Sequence, residues 1–363
     1  MFSPLELWKK VYYNSCMIRV AINGYGRIGR VAHRVILASH SAEIQVVAIN
    51  AGASTDLAGW MYLLKYDTNY GTLIGHSLSV DTEGVIEEKP DFLGHLIIDG
   101  NKIPVYSQKD ATLLPWKEVG VDVVLECTGH ILTTEKAQAH INAGAKVVVM
   151  SAPAKDATPT YVMSVNADQY KGETVVNNAS CTTNCIAPVA KVMVDSFGVE
   201  KAMMTTIHAY TSDQKVQDGG HKDYRRARTA AVNIIPTSTG ATKAAAEAVP
   251  ELQGLFTGLS IRVPIPVGSL SDFTFLLKRD TTKEEINEIL TKASQTTFKG
   301  IIEVTTDPLV SSDIIGNPHS SIVDLSLTQV VGGNMVKIIA WYDNEWGYSN
   351  RLIEETLLVG GKV

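Results

Sequence analysis

The chain has 363 residues, 45% of them hydrophobic and 19% charged, with a formal net charge of −6. That length exceeds the usual single core and points to two domains of ordinary globular composition. The acidic balance argues against a nucleic-acid binder driven by bulk charge, and no apolar run approaches the roughly 18 residues that span a bilayer.

In chain order, residues 1–16 (MFSPLELWKKVYYNSC) are expected to lie outside the fold. Lys9 and Lys10 interrupt any signal-like apolar region, and a strand pattern starts only at Met17-Ile18-Arg19-Val20. A strand over 19–23, a helix over 28–37 and a strand over 44–50 follow. Further on come a strand over 121–126, a helix over 134–143 and a strand over 146–150. This alternation predicts a doubly wound parallel sheet. The later runs, 202–210, 272–277, 322–327 and 335–342, are longer and β-branched, and predict a mixed, largely antiparallel sheet in an α+β domain. Thr282-Lys283-Glu284-Glu285 is a capping box opening a helix with Ile286, Ile289, Leu290 and Ala293 on one face. Residues 349–358 read as a last helix.

Gly24-x-Gly26-x-x-Gly29 stands between the first strand and the first helix. The first glycine permits a tight turn, the second a close approach of backbone to a pyrophosphate, and the third close helix packing. The second strand ends in INAGASTD, where a dinucleotide-binding chain often carries an acid for the adenosine ribose; here Ala51 and Gly52 stand instead. The cysteines, Cys16, Cys127, Cys181 and Cys185, form no C-x-x-C pair, which favours a reducing, cytoplasmic setting. Cys181 follows a Ser-containing turn and precedes a helical run, so a helix dipole would favour its thiolate. Cys185 and Cys127 read as packing residues. His208, at the end of an apolar strand, is the candidate base, ahead of His221. No histidine spacing suits a metal, and none is expected.

With these residues in view, the chain from about Met17 onward resembles phosphorylating glyceraldehyde-3-phosphate dehydrogenases. The resemblance rests on INGYGRIGR, ASCTTNC, HAYTSDQ, RRAR, IIPTSTGA and YDNEWGYS, in that order. It implies a Rossmann domain over 17–180 completed by a C-terminal helix at 345–363, a catalytic domain over 181–344, and a homotetramer. Cys181 would attack the aldehyde of glyceraldehyde 3-phosphate, with His208 as acid–base partner and the backbone N–H groups of both residues at the oxyanion. The resulting thioester would be cleaved by inorganic phosphate. Thr211 and Arg262 match the substrate-phosphate positions. Ser180, Thr182, Thr239 and Gly240 match the inorganic phosphate positions, with Arg226 in the accompanying arginine group. Gly24, Gly26, Arg27, Ile28, Gly29, Ala51, Thr128, Gly129, Asn344 and Tyr348 match cofactor positions.

Ala51 stands where NAD-using relatives have aspartate. Its loss removes repulsion toward a 2′-phosphate, and Gly52, Ser54 and Thr55 offer N–H and hydroxyl groups there. Gln217-Asp218-Gly219-Gly220 replaces a bulkier run that, in NAD-specific relatives, crowds the adenosine from a neighbouring subunit. Both departures favour NADP, or dual use, over strict NAD. Against this, the loop carries no Arg or Lys, and Asp56 could swing toward the ribose. Erythrose-4-phosphate dehydrogenase shares the Cys–His chemistry, but HAYTSDQ and STG match the triose enzyme. A non-catalytic nucleotide- or RNA-binding scaffold is opposed by the intact Cys181, His208, Thr211 and Arg262.

Overall fold

The computed structural model describes residues 17–85 and 91–363; the expected extension, with Cys16, lies outside the described residues. Two compact units emerge. The described part of the first comprises 17–85, 91–161, 169–178 and 352–363, and the second 162–168 and 179–351.

The first unit is built on an eight-stranded sheet. Its strands are β1 (Ile18–Asn23), β2 (Ile44–Asn50), β5 (Leu78–Asp81), β6 (Phe92–Ile98), β7 (Asn101–Tyr106), β8 (Val123–Glu126), β9 (Val147–Met150) and β10 (Val175–Asn177), with β3 (Tyr66–Asp67) and β4 (Gly71–Thr72) forming a separate small hairpin. The order is β10-β9-β8-β1-β2-β7-β6-β5. β1 pairs in parallel with β2 on one side and β8 on the other. Every residue of β8 and β9 is buried, as the continuous Val/Leu runs of a covered parallel sheet require. Strand order reverses between β1 and β8, so the loops leaving their C-terminal ends open the crevice where such sheets take ligands. The antiparallel extension β5–β6–β7 was not anticipated. Its pattern is broken at Gly94, where φ is +111° and the β6–β7 register shifts.

The first helix, α1 (Arg27–Val35), starts one residue before its expected position and passes into a wider turn through His40. α2 (Leu57–Lys65) and α3 (Thr134–Asn142) complete the main helices before residue 150.

The second unit carries the expected mixed sheet. β11 (Val199–Ala209) pairs in parallel with β13 (Phe256–Val263) and antiparallel with β14 (Ser269–Leu277). β12 (Ile235–Ser238), β15 (Ile302–Thr305), β16 (Ser321–Asp324), β17 (Gln329–Val331) and β18 (Met335–Tyr342) complete it. The 17-residue helix α4 (Cys181–Phe197) buries Cys185, Ile186, Val189 and Met193 in one core with Phe273, Phe275 and Ile338. Each large apolar side chain so buried contributes roughly 1.5–3 kcal/mol. α5 (Ala241–Ala248) follows β12. α6 (Lys283–Gln295) has the expected Thr282 cap, which accepts the Glu285 N–H at 3.2 Å. The Glu285 carboxylate instead binds Arg279 and Thr281, so only half of the capping box forms. α7 (Trp346–Gly360) begins before residue 349 because Asp343 accepts the N–H groups of Glu345 and Trp346 at 2.9 and 2.8 Å.

Candidate active site

In the second unit, Ala179 takes φ +54°, a left-handed turn that only a strained non-glycine residue adopts. Its carbonyl accepts the Tyr348 hydroxyl at 3.2 Å. Ser180 then caps α4 by accepting the Thr183 N–H at 3.0 Å, and Cys181 is the first helical residue. Its Sγ lies 3.4 Å from Nε2 of His208, which sits next to the end of β11. The Ala209 carbonyl lies 2.6 Å from His208 Nδ1 and 3.1 Å from Arg262 Nη1. A carbonyl oxygen has two lone pairs and can accept both donors; the tautomer with its proton on Nδ1 turns the Nε2 lone pair toward the thiol, while Arg262 Nη1, 2.9 Å from Nδ1, favours the other tautomer.

Burial, and then the Arg262 guanidinium, push His208 down to about 3. Burial also pushes the Cys181 thiol up, against the opposing pull of Arg262 and of hydrogen bonds at the helix start. Desolvation thus opposes the thiolate that the helix terminus favours. Cys185, one turn on, is fully buried and its thiol rises to about 12, as does that of Cys127. Cys185 has the packing position expected of it, whereas Cys127 is half-buried. His221 is engaged with Asp213 at 3.3 Å.

The phosphate candidates fall in the same unit. Gly240 precedes α5 with no side-chain cap, and Thr239 Oγ1 accepts the Ala241 N–H at 3.2 Å. The Thr183 hydroxyl donates to the Ala241 carbonyl at 3.4 Å, which draws the N-termini of α4 and α5 together. Thr182 turns its hydroxyl inward, 2.9 Å from the Tyr342 hydroxyl, leaving its backbone N–H at the helix start. Arg226 is held by Asp213 and by Thr237 at 2.9 Å. The Thr211 N–H donates to Gln214 at 3.2 Å. Asn344 Oδ1 accepts from the Gly268 N–H at 3.1 Å and the Ser269 hydroxyl at 2.9 Å, while Ser269 itself accepts the Ala209 N–H at 3.1 Å. These bonds orient the amide so that its NH2 points away from them.

Sequence reasoning missed Tyr342 and Thr206. The Tyr342 hydroxyl bridges Thr182 and Thr206, the latter at 2.8 Å, and its ring stands edge-on to His208 with centroids 5.9 Å apart. Its place at the head of YDNEWGYS was the available signal.

In the first unit the glycines separate by role. Gly24 has φ +93°, and a Cβ there would meet Thr128 N at 2.7 Å. A Cβ on Gly29 would meet the Gly24 carbonyl at 2.2 Å, whereas one on Gly26 would meet nothing within 4 Å. α1 starts at Arg27 behind Gly26, with no side-chain cap hydrogen bond. The Arg27 guanidinium is ion-paired with Asp67 and lies over the Tyr70 ring, so its contribution to that turn is its backbone. Ile28 is the next helical residue, half-buried. Thr128 N–H donates to Glu126 at 2.9 Å, and Gly129 turns with φ +69°.

In the loop after β2, the Ala51 N–H donates to the Tyr106 carbonyl at 2.7 Å. Asp56 caps α2, accepting the Gly59 N–H at 2.7 Å. Ser54 Oγ accepts the Trp60 indole N–H at 2.9 Å, and the Gly52 N–H faces Asn50 Oδ1 at 3.4 Å. Among the described residues no cluster of His, Cys, Asp and Glu could hold a metal, and no helix is long and apolar enough to cross a membrane.

Two family models match the chain. Residues 18–134 match the NAD binding domain of glyceraldehyde 3-phosphate dehydrogenase, and residues 180–344 match its C-terminal domain. Glyceraldehyde-3-phosphate dehydrogenase 2 of Streptomyces avermitilis is 47% identical over 349 residues, covering 95% of this chain and 99% of its own. The glyceraldehyde-3-phosphate dehydrogenase of Streptomyces coelicolor is 48% identical over 350 residues, with coverages of 95% and 99%. That of Zymomonas mobilis is 48% identical over 340 residues, with coverages of 93% and 97%.

Proposed function

The chain belongs to the glyceraldehyde-3-phosphate dehydrogenase family, and on that footing we propose that it reversibly converts glyceraldehyde 3-phosphate and inorganic phosphate to 1,3-bisphosphoglycerate. The observation that carries this reading is the Cys181 Sγ–His208 Nε2 contact of 3.4 Å, with the Ala209 carbonyl 2.6 Å from Nδ1 on the far side of the ring. His208 Nε2 takes the thiol proton as sulfur bonds to the aldehyde carbon, and returns it to the carbonyl oxygen to complete the thiohemiacetal. Bound NAD(P) supplies the hydride acceptor that turns this adduct into a thioester. His208 takes the hydroxyl proton lost in that oxidation. Inorganic phosphate then attacks the thioester carbon, and Cys181 leaves as thiolate and recovers its proton from His208.

Thr211 and Arg262 hold the substrate's own phosphate in this reading. Ser180, Thr182 through its backbone, Thr239, Gly240 and Arg226 surround the attacking phosphate. The meeting of two helix N-termini at Thr183 and Ala241 supports an anion there. Asn344 has its Oδ1 occupied, which keeps its NH2 as the donor for a nicotinamide carboxamide, and Tyr348 steadies the Ala179 turn. Gly24, Gly26, Arg27, Ile28, Gly29, Thr128 and Gly129 receive the dinucleotide. The open space at Gly26 and the uncapped start of α1 fit a pyrophosphate. We take 17–180 with 345–363 as the cofactor domain and 181–344 as the catalytic domain.

For the cofactor we favour NADP, or dual use. Ala51 offers no carboxylate, and the Asp56 carboxylate is committed to its helix cap. The same loop limits the preference, because Ser54 Oγ and the Gly52 N–H already have partners and no cation stands within it. Homotetramer assembly is supported by exposed apolar residues Val216, Tyr224, Val232 and Ile234 in one segment of the second unit. We place the enzyme in the cytoplasm.

The test is kcat/KM for NADP and for NAD with both other substrates saturating, with the product assayed as an acyl phosphate. An NADP preference, or comparable use of both, is expected. A strong NAD preference overturns the reading of the Ala51 loop, and hydrolysis in place of phosphorolysis overturns the reaction.

A further inference from the structure

Glu126, the last residue of β8, is fully buried and takes no part in the chemistry above. Four donors converge on its carboxylate. Oε1 accepts the Thr128 N–H at 2.9 Å and the Thr128 hydroxyl. Oε2 accepts the Asn23 amide and His140 Nε2–H, the latter at 3.1 Å. The histidine tautomer is fixed from behind, because Nδ1 accepts the Trp116 indole N–H at 2.9 Å. Asn23 carries the connection onward: its Oδ1 accepts from Asn50 Nδ2 at 2.7 Å. Asn50 Oδ1 in turn faces the N–H groups of Gln108 at 2.9 Å and Gly52 at 3.4 Å.

Asn23, Asn50 and Glu126 end β1, β2 and β8, and Asn23 lies in register with both of the others. One buried carboxylate therefore ties together the ends of three neighbouring parallel strands. The loops leaving those ends carry Gly24–Gly26, Ala51–Gly52 and Thr128–Gly129. A buried carboxylate is costly unless its lone pairs are filled, and here each oxygen has two donors.

We propose that Glu126 is a positioning residue for dinucleotide binding, with Asn23, Asn50 and His140 as the arms through which it presets the three loops. The proposal rests on the assignment of those loops to NAD(P). Replacement by glutamine keeps the size but turns an NH2 group toward donors on one side or the other, which frees a strand end.

The experiment compares wild type with Glu126→Gln and His140→Gln as full-length enzyme. Cofactor Kd is measured by quenching of tryptophan fluorescence, alongside KM for the cofactor, kcat, melting temperature and the rate of Cys181 alkylation. Loss of hydrogen bonds to a charged group predicts a Kd and KM raised on the order of 10- to 100-fold in Glu126→Gln. We expect kcat at saturating cofactor and the alkylation rate to stay close to wild type. His140→Gln retains a donor toward Glu126 and is expected to raise Kd by only a few-fold; it carries the test if Glu126→Gln does not fold. A lowered melting temperature with Kd within about twofold of wild type makes the network purely structural and overturns the proposal. Wild-type enzyme that binds neither NAD nor NADP overturns the underlying assignment instead.

Discussion

The starts of α1 and α4 use the same element, the positive end of a helix, for opposite purposes. α1 starts behind glycine with no side-chain cap, and in the proposed reading the space over Gly26 takes an anion. α4 starts behind Ser180, which consumes the Thr183 N–H, and what the helix presents is a sulfur atom. The first is a site of backbone and absence, and bulk destroys it. The second is a site of particular side chains, and it depends on protons. The comparison teaches that a helix dipole selects neither ligand nor reactivity by itself; the cap and the degree of burial decide which is obtained.

The largest effects belong to the side-chain site. Cys181→Ser is expected to lower kcat on the order of 10⁴-fold or more, and His208→Asn about 10²- to 10⁴-fold, both measured in single-turnover assays with unchanged melting curves. Near-normal activity in either variant would remove the chemical half of the comparison.

The backbone site is tested by two glycines. Gly29→Ala places a methyl 2.2 Å from the Gly24 carbonyl and should cost about 1–3 kcal/mol or prevent folding, read by thermal melting. Gly26→Ala meets nothing in the protein and should leave the melting temperature unchanged while weakening cofactor binding about tenfold, roughly 1.4 kcal/mol. Equal melting losses in both variants would mean that the space over Gly26 is not kept for a ligand.

The smallest effect is a shift along the pH axis. Burial raises the Cys181 thiol and Arg262 opposes that rise, so iodoacetamide alkylation of Cys181 should climb as pH increases through and above neutrality. Removing the guanidinium in Arg262→Gln should move this rise to higher pH. A fast, pH-independent reaction down to pH 5 would show a resting thiolate and make the helix terminus sufficient by itself.

Much of this was legible in the sequence where one segment carries its own signal. β2 spans the Ile44–Asn50 run as expected, because Ile and Val on both faces mark a covered parallel strand. The Cys181 and His208 motifs pointed to residues that the fold brings within 3.4 Å. What stayed hidden was long-range or double in meaning. Glu126 and His140 lie on a strand and a helix, and only tertiary folding makes them partners. Asp56 precedes a helix as either a free acid or a cap, and the N–H of Gly59 decides for the cap. The direction of the Cys181 shift depends on how much chain covers the sulfur, which local spacing does not encode.

The Ala209 carbonyl has one further consequence. A carbonyl can hold the Nδ1 proton of His208 but cannot carry it away, so the ring has a single exit for any proton it collects. Burial and the Arg262 guanidinium beside the same oxygen disfavour the doubly protonated ring, and its proton returns through Nε2 to whatever stands at the sulfur. His208 therefore works as a lender: each proton taken from the thiol is due back at the reacting carbon's own oxygen or at the departing sulfur.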